Sequence, residues 1–201
     1  MAILLVVLYS DPADGEELLI INWLTMYRGL SAIMNMSPQG QCEELSVWPV
    51  FDRQGSVLTF PPVIPKILVN MLAEIRPPDP DFPMLEYWCQ VLDALGMLYA
   101  ALRQDGITPA LSVRIIAWPS YTTQKFADCA RERRPRVLVI LTYYLAFTKL
   151  ASSLWWIEGI ADREIKAIAN ILGTEWLRYM SVPVRITQMT DVFEIANLLL
   201  A

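Results

Sequence analysis

Apolar residues recur along this chain every three or four positions, the spacing of one face of an α-helix. Over residues 16–36, Ile20, Trp23, Tyr27, Leu30 and Met34 make one such stripe. Pro65 opens a short helical stretch reaching Ile75. Asp81, as a cap, opens a longer one to Gln104 with Pro83 in its first turn. On that helix Leu85, Trp88, Cys89, Leu92, Leu95, Tyr99 and Leu102 share a face. Thr108-Pro109 repeats the cap-then-proline signature and starts a helix toward Ala117, which Trp118-Pro119-Ser120 breaks. Further helices are predicted over 121–132, 135–157, 162–172, 174–180 and 190–200. Between elements lie a turn-rich connection over 42–62 and the stiff linker Arg76-Pro77-Pro78-Asp79-Pro80-Asp81. Alternating β-branched runs are almost absent, 112–116 being the nearest. The pattern predicts an all-α protein, an irregular bundle of about eight to ten helices, with residues 1–201 forming a single domain.

The centre of the bundle is also marked. Residues 137–157 carry Lys149 as their only charge and so imitate a membrane span. A central Lys costs about 2.5–3.5 kcal/mol on insertion scales. Pro135 sits where the first residue of a helix belongs, and Glu158-Gly159 reads as an end. A helix apolar on all sides in a water-soluble chain is the central helix of a bundle. The apolar start, residues 1–9, is too short to cross a bilayer and lacks the basic flank of a signal peptide. An intracellular protein is expected, cytoplasmic or nuclear, and not an integral membrane protein.

Composition removes much of the usual chemistry. Apolar side chains make up 55% of the residues and charged ones 18%, which excludes a disordered chain. The net charge of −5 gives no electrostatic footprint for nucleic acid, so direct DNA binding is not expected. With no histidine, imidazole bases, serine triads and His-ligated zinc are excluded. Cys42, Cys89 and Cys129 are too far apart in sequence for a C-x-x-C pair and read as small core hydrophobes in a reducing compartment. Neither a metal nor a cofactor is implied. The arginines 131, 133, 134 and 136 straddle a helix break and read as a solvated corner between helices.

Without histidine, acid–base work would fall to Asp, Glu or Tyr. Glu86 and Asp93 share a helix face that points away from the apolar stripe, so solvent is their expected neighbour. Glu158 and Asp162 stand four apart beside Trp155-Trp156; capping is the structural role open to both, and Asp162 also has Lys166 one helical turn on. Lys149, on so apolar a helix, must snorkel, pair or lose its charge, and a discharged amine is a nucleophile. The snorkelled arrangement is the expected one. Tyr143, Tyr144, Phe147, Trp155 and Trp156 cluster on the central helix, with Trp88, Tyr99, Trp118 and Tyr121 on others. Aromatics in that number, with Met26, Met34, Met36 and Met97, suit a pliable apolar pocket as well as a core.

Several of these stretches fall in one order that resembles a known family. The run 134–144 (RPRVLVILTYY), then Trp155-Trp156-Ile157-Glu158-Gly159, Thr174-Glu175-Trp176 and Val182-Pro183 look like the C-terminal regulatory domain of fungal zinc-binuclear-cluster transcription factors of the sterol-uptake-control type. There R-P-x-A-L-x-I-L-x-Y-Y precedes W-W-x-x-G, an amphipathic helix, a further Trp and a Trp-Pro. Met26-Tyr27-Arg28-Gly29-Leu30 is similar to an earlier helix of the same domain. Ile160 stands where the family often has Trp, and Val182-Pro183 replaces Trp-Pro. The six-cysteine DNA-binding module is not in this sequence, nor are the helices that normally precede the Tyr-Arg-Gly one.

The resemblance implies a helical domain that holds a lipophilic ligand between its C-terminal helices. Three readings follow. The first is a binding module for a sterol-like, terpenoid or polyketide molecule, with Tyr27, Arg28, Tyr143, Tyr144, Phe147, Trp155, Trp156 and Glu158 around it. The second is a cofactor-free cyclase or isomerase of fungal secondary metabolism acting on a polyene or polyketide, with Glu158 and Tyr144 as its catalytic groups. The third is a structural or regulatory subunit for a partner. Residues 1–9 look like the remnant of a helix whose family neighbours are missing, so a homodimer or a hetero-partner is expected to cover apolar surface.

Overall fold

The computed structural model describes residues 18–36, 61–151, 157 and 159–201, the side chains of Arg28 and of residues 30–36 excepted. The apolar start, Cys42, most of the 42–62 connection, the Leu30 and Met34 end of the first stripe, Trp155, Trp156 and Glu158 lie outside the described residues. Among the described residues there are nine α-helices and no strand. In chain order they are α1 (Leu19–Met36), α2 (Lys66–Ala73), α3 (Leu85–Asp105), α4 (Pro109–Ala117), α5 (Gln124–Arg131), α6 (Pro135–Thr148), α7 (Ile160–Leu172), α8 (Ser181–Ile186) and α9 (Val192–Leu200). Tighter 3-10 turns occupy Phe82–Met84, Trp118–Tyr121 and Thr174–Met180. No helix among these residues is long and apolar enough to cross a membrane.

The all-α architecture matches the periodicity, and α6 is its axis. Every residue from 137 to 148 is at most 1% exposed, and α2, α3, α4, α5, α7, α8 and the Thr174–Met180 turn all touch the helix. Buried apolar side chains from all nine helices join in one cluster around it. Full burial of one Leu or Val contributes about 1.5–3 kcal/mol, so this uninterrupted run is the largest local source of stability. Side-chain caps begin three other helices, the one at Thr108 as the sequence suggests, while α5 starts at Gln124 and not at 121. The Thr108 hydroxyl accepts from the Leu111 N–H at 3.2 Å, Thr123 from Phe126 at 3.1 Å, and Asp191 from Phe193 and Glu194 at 2.7 and 3.0 Å.

Several expectations are corrected. The central helix ends at Thr148, not at 157. The Thr148 hydroxyl donates to the Leu145 carbonyl at 2.7 Å, and Leu150 and Ala151 donate to Phe147 and Thr148 in i→i−3 turns. The sequence hides this end because Leu150, Ala151 and Ile157 stay buried beyond it. The stretch 174–180 is a 3-10 turn, and α8 forms where no helix was predicted; Pro183 is its third residue, within the first turn, where the missing N–H has no intrahelical partner to lose. Cys89 is exposed, because Leu85, Trp88, Leu92, Leu95, Tyr99 and Leu102 complete the stripe and leave it on the rim; Cys129 is buried as expected.

The arginine corner is not simply solvated. The Asp81 carboxylate makes no cap bond; it receives Arg134 at 3.2 Å and Arg136 at 2.6 Å, while Arg136 also reaches Asp79 at 2.9 Å. These contacts pin the start of α6 to the proline-rich linker. At Gly96 the chain passes very close: a Cβ there would lie 2.8 Å from Pro62 Cβ and 2.9 Å from Ile64 Cγ1. Only a residue without a side chain lets 62–64 cross α3 and lets the Val63 N–H reach the Gly96 carbonyl at 3.0 Å.

Candidate functional site

The expected aromatic residues sit in the solid core. Tyr144 stacks on Trp118 with ring centroids 4.2 Å apart, and its hydroxyl donates to the Ile115 carbonyl at 3.1 Å. Phe147 meets the edge of Tyr99 at 4.7 Å, and Tyr143 donates to the Tyr179 carbonyl at 2.9 Å. Burial pushes the phenols of Tyr27, Tyr99, Tyr143 and Tyr144 well above the ordinary tyrosine range, so they remain protonated. Tyr27 and Tyr144 are brought near each other, yet Tyr27, Tyr143, Tyr144 and Phe147 line neither of the two cavities described below.

The first cavity, about 270 Å³, opens where α6 ends. Thr148, Lys149 and Ala151 form one side, and Ile157, Gly159, Ala161 and Asp162 a second. Met189, Thr190, Val192 and Ile195 close it. Gly159 holds φ at +76°, a left-handed turn that suits glycine and swings the chain directly into α7. Ala151, Ile157, Ala161, Val192 and Ile195 make most of the wall apolar.

The polar edge is organised by Lys149. Its ammonium donates to Asp162 Oδ1 at 2.7 Å, to the Met189 carbonyl at 2.8 Å and to the Ile186 carbonyl at 3.0 Å. Those three bonds use all three N–H donors of a lysine. The side chain is 14% exposed, so Lys149 pairs internally and does not snorkel to solvent. Asp162 takes Lys149 and not Lys166, its helical neighbour. One ammonium thereby ties the end of α6, the first turn of α7 and the turn after α8.

A second, apolar groove of about 270 Å³ runs between α2 and α3, lined by Ile64, Val69, Leu72, Ala73, Leu85, Cys89, Leu92 and Asp93. Partial burial, then the neighbouring Asp93 carboxylate, pushes the Cys89 thiol up, which keeps it protonated and poorly nucleophilic. Glu86 and Asp93 are exposed, as their helix face predicts.

The residue patterns missed three polar groups. Glu164, 3% exposed, accepts the Ile20 N–H at 3.0 Å and caps α1 from a helix 144 residues away. Burial pushes its carboxyl up, while the Ile20 amide and Arg163 draw it back down. A signal existed, since Glu164 lies on the apolar face of α7 between Ala161, Ile165 and Ile168. The Ile186 and Met189 carbonyls had no such signal, because backbone acceptors leave no trace in residue type. Of the expected ligand contacts, Trp155, Trp156, Glu158 and the Arg28 side chain lie outside the described residues; Ile157 and Gly159, which flank Glu158 in sequence, both line the first cavity. Among the described residues no group of three or more potential metal-ligating side chains occurs.

No family model matches the chain, and no solved structure matches it. A stretch of 73 residues, 35% of this chain, is 29% identical to a protein of Gibberella zeae described as a "Zn(2)-C6 fungal-type transcription factor". The match spans 15% of that protein's length. Over that partial stretch, the chain is related to a fungal transcription factor.

Proposed function

We propose that this chain is a helical regulatory domain of the fungal transcription-factor kind and that it holds a lipophilic small molecule in the cavity at the end of α6. One observation carries the reading. Among the described residues, the cavity has an apolar wall from Ala151, Ile157, Ala161, Val192 and Ile195 and a polar edge at Lys149, Asp162 and Thr190. Small-molecule sites have this make-up, mostly apolar with a few placed polar groups that fix orientation. Trp155, Trp156 and Glu158 remain candidate contacts, since they adjoin lining residues in sequence. Tyr143, Tyr144 and Phe147 pack in the core around α6, with Tyr27 beside Tyr144. A ligand here touches α7 and α9 together, so its presence bears on how the C-terminal helix is held.

The test is Val192→Trp, which places an indole at the cavity's rim. Small molecules released by denaturing the wild-type protein are identified by mass spectrometry and compared with those from the variant. The expected result is at least a tenfold loss of bound ligand with circular dichroism unchanged and a cooperative thermal transition retained, its midpoint lowered only as far as the lost ligand accounts for. A folded variant that keeps its ligand, or a wild type that carries no ligand and binds none of the probes named in the next section, refutes the reading.

A further inference from the structure

Resting on the cavity reading above, we infer that the ligand is a neutral molecule of one or two rings that presents a hydroxyl group to Asp162, and that acids of the same skeleton are excluded. Among the described residues, the charged ones that line the cavity are Lys149 and Asp162. They are already paired at 2.7 Å. Lys149 also spends its other two donors on the Ile186 and Met189 carbonyls. An arriving carboxylate or phosphate therefore finds no free ammonium proton. To bind one, Lys149 has to give up Asp162, the Met189 carbonyl, which then lacks its donor, or the Ile186 carbonyl, which falls back on the Met189 N–H alone.

The carboxylate offers the opposite opportunity. Asp162 uses Oδ1 for Lys149, and Oδ2 has no partner among the described residues. An ionised carboxylate only accepts hydrogen bonds, so the group that satisfies Oδ2 must be a donor. The first turn of α7 favours negative charge through its dipole, and Asp162, inside that turn, already supplies it. A ligand ammonium would donate to Oδ2 but would stand beside the Lys149 ammonium, adding a second positive charge to a pair that is neutral. A hydroxyl donates without that repulsion. Thr190, exposed on the same edge, can take part in the hydroxyl's remaining hydrogen bond.

Volume narrows the class further. A cavity of about 270 Å³ falls just under the range of about 300–1,000 Å³ that drug-sized ligands occupy. The apolar wall then accommodates a compact ring skeleton, and an extended four-ring one exceeds it.

Three rigid probes with one skeleton separate these possibilities: 1-adamantanol, adamantane-1-carboxylate and 1-aminoadamantane, the last as its ammonium. Each is titrated into the full chain at pH 7 by isothermal calorimetry, with ligand-observed NMR as a second readout. The alcohol is expected to bind at least tenfold more tightly than either ion. In Asp162→Asn, which keeps an acceptor but frees Lys149 from its charged partner, the carboxylate is expected to gain at least fivefold relative to the alcohol. Carboxylate binding as tight as the alcohol's in the wild type overturns this inference and leaves the cavity reading standing. Should none of the three bind, the cavity reading falls and the inference with it. The wild-type series decides the matter even where Asp162→Asn fails to fold.

Discussion

Lys149→Met tests whether one ammonium holds three segments together. Methionine keeps the length and apolar stem of lysine and deletes only the charged head. The Met189 carbonyl, bonded at 2.8 Å, loses its donor, while the Ile186 carbonyl, bonded at 3.0 Å, keeps the Met189 N–H at 3.0 Å. Each buried acceptor left unpaired costs about 1–3 kcal/mol. Asp162, with a side chain 34% exposed, is resolvated by water, so the lost ion pair itself contributes little. One unpaired carbonyl remains, that of Met189, which brings the expected loss to about 1–3 kcal/mol. For a chain of this size each kcal/mol moves the thermal midpoint by about 2–4 °C. Calorimetry and urea denaturation of both proteins, at equal concentration and pH 7, measure the difference. A loss below about 0.5 kcal/mol, ordinary for a surface substitution, would falsify the claim that Lys149 is an internal tie.

Two further outcomes follow from the core. Leu141→Ala, at a position that is 0% exposed on α6, is expected to cost about 2–5 kcal/mol by urea denaturation; an unchanged midpoint would remove α6 from the centre of the fold. Glu164 has a folded-state carboxyl raised mainly by burial, so the native state holds its proton to higher pH than the unfolded chain. Stability from this group is therefore present below the unfolded carboxyl's range and is lost as pH rises through the raised one. Glu164→Gln keeps an acceptor for the Ile20 N–H and has nothing to ionise. Its stability relative to wild type should rise between pH 4 and pH 8 in denaturation curves, and a difference that is flat or falls with pH contradicts the assignment.

The helical class was legible because period and burial agree: a stripe such as Leu85, Trp88, Leu92, Leu95, Tyr99 and Leu102 has one physical explanation. The position of α6 at the centre was legible for the same reason, since a run without charge has no face to give to water. Its end was not, because burial continues through Leu150 and Ala151 after the helical hydrogen bonds change register. The Asp81 pairing was equally hidden. Asp81 is 53 and 55 residues from Arg134 and Arg136, and a cap is the local role that an Asp before Phe82-Pro83 suggests. The site was half-visible: Asp162 and Lys149 stood out as charges near apolar runs, but their union with each other and with two backbone carbonyls needed the fold. The aromatic surplus on α6 misled, because rings stacked edge to face and plane to plane fill a core as readily as they line a pocket.

The Glu164 cap and the Lys149 tie differ in how much chain each must gather. Lys149 closes loops of 13, 37 and 40 residues, whereas Glu164 reaches Ile20 across 144. Loop-closure entropy grows with the logarithm of length, so the longer closure costs about 1 kcal/mol more than the longest of the three. The cavity's walls thus belong to a stretch that can collect itself from near neighbours, and α1 is recruited from the far end of the chain. The order in which these parts become cheap to assemble runs from the site outward, opposite to their order in the sequence.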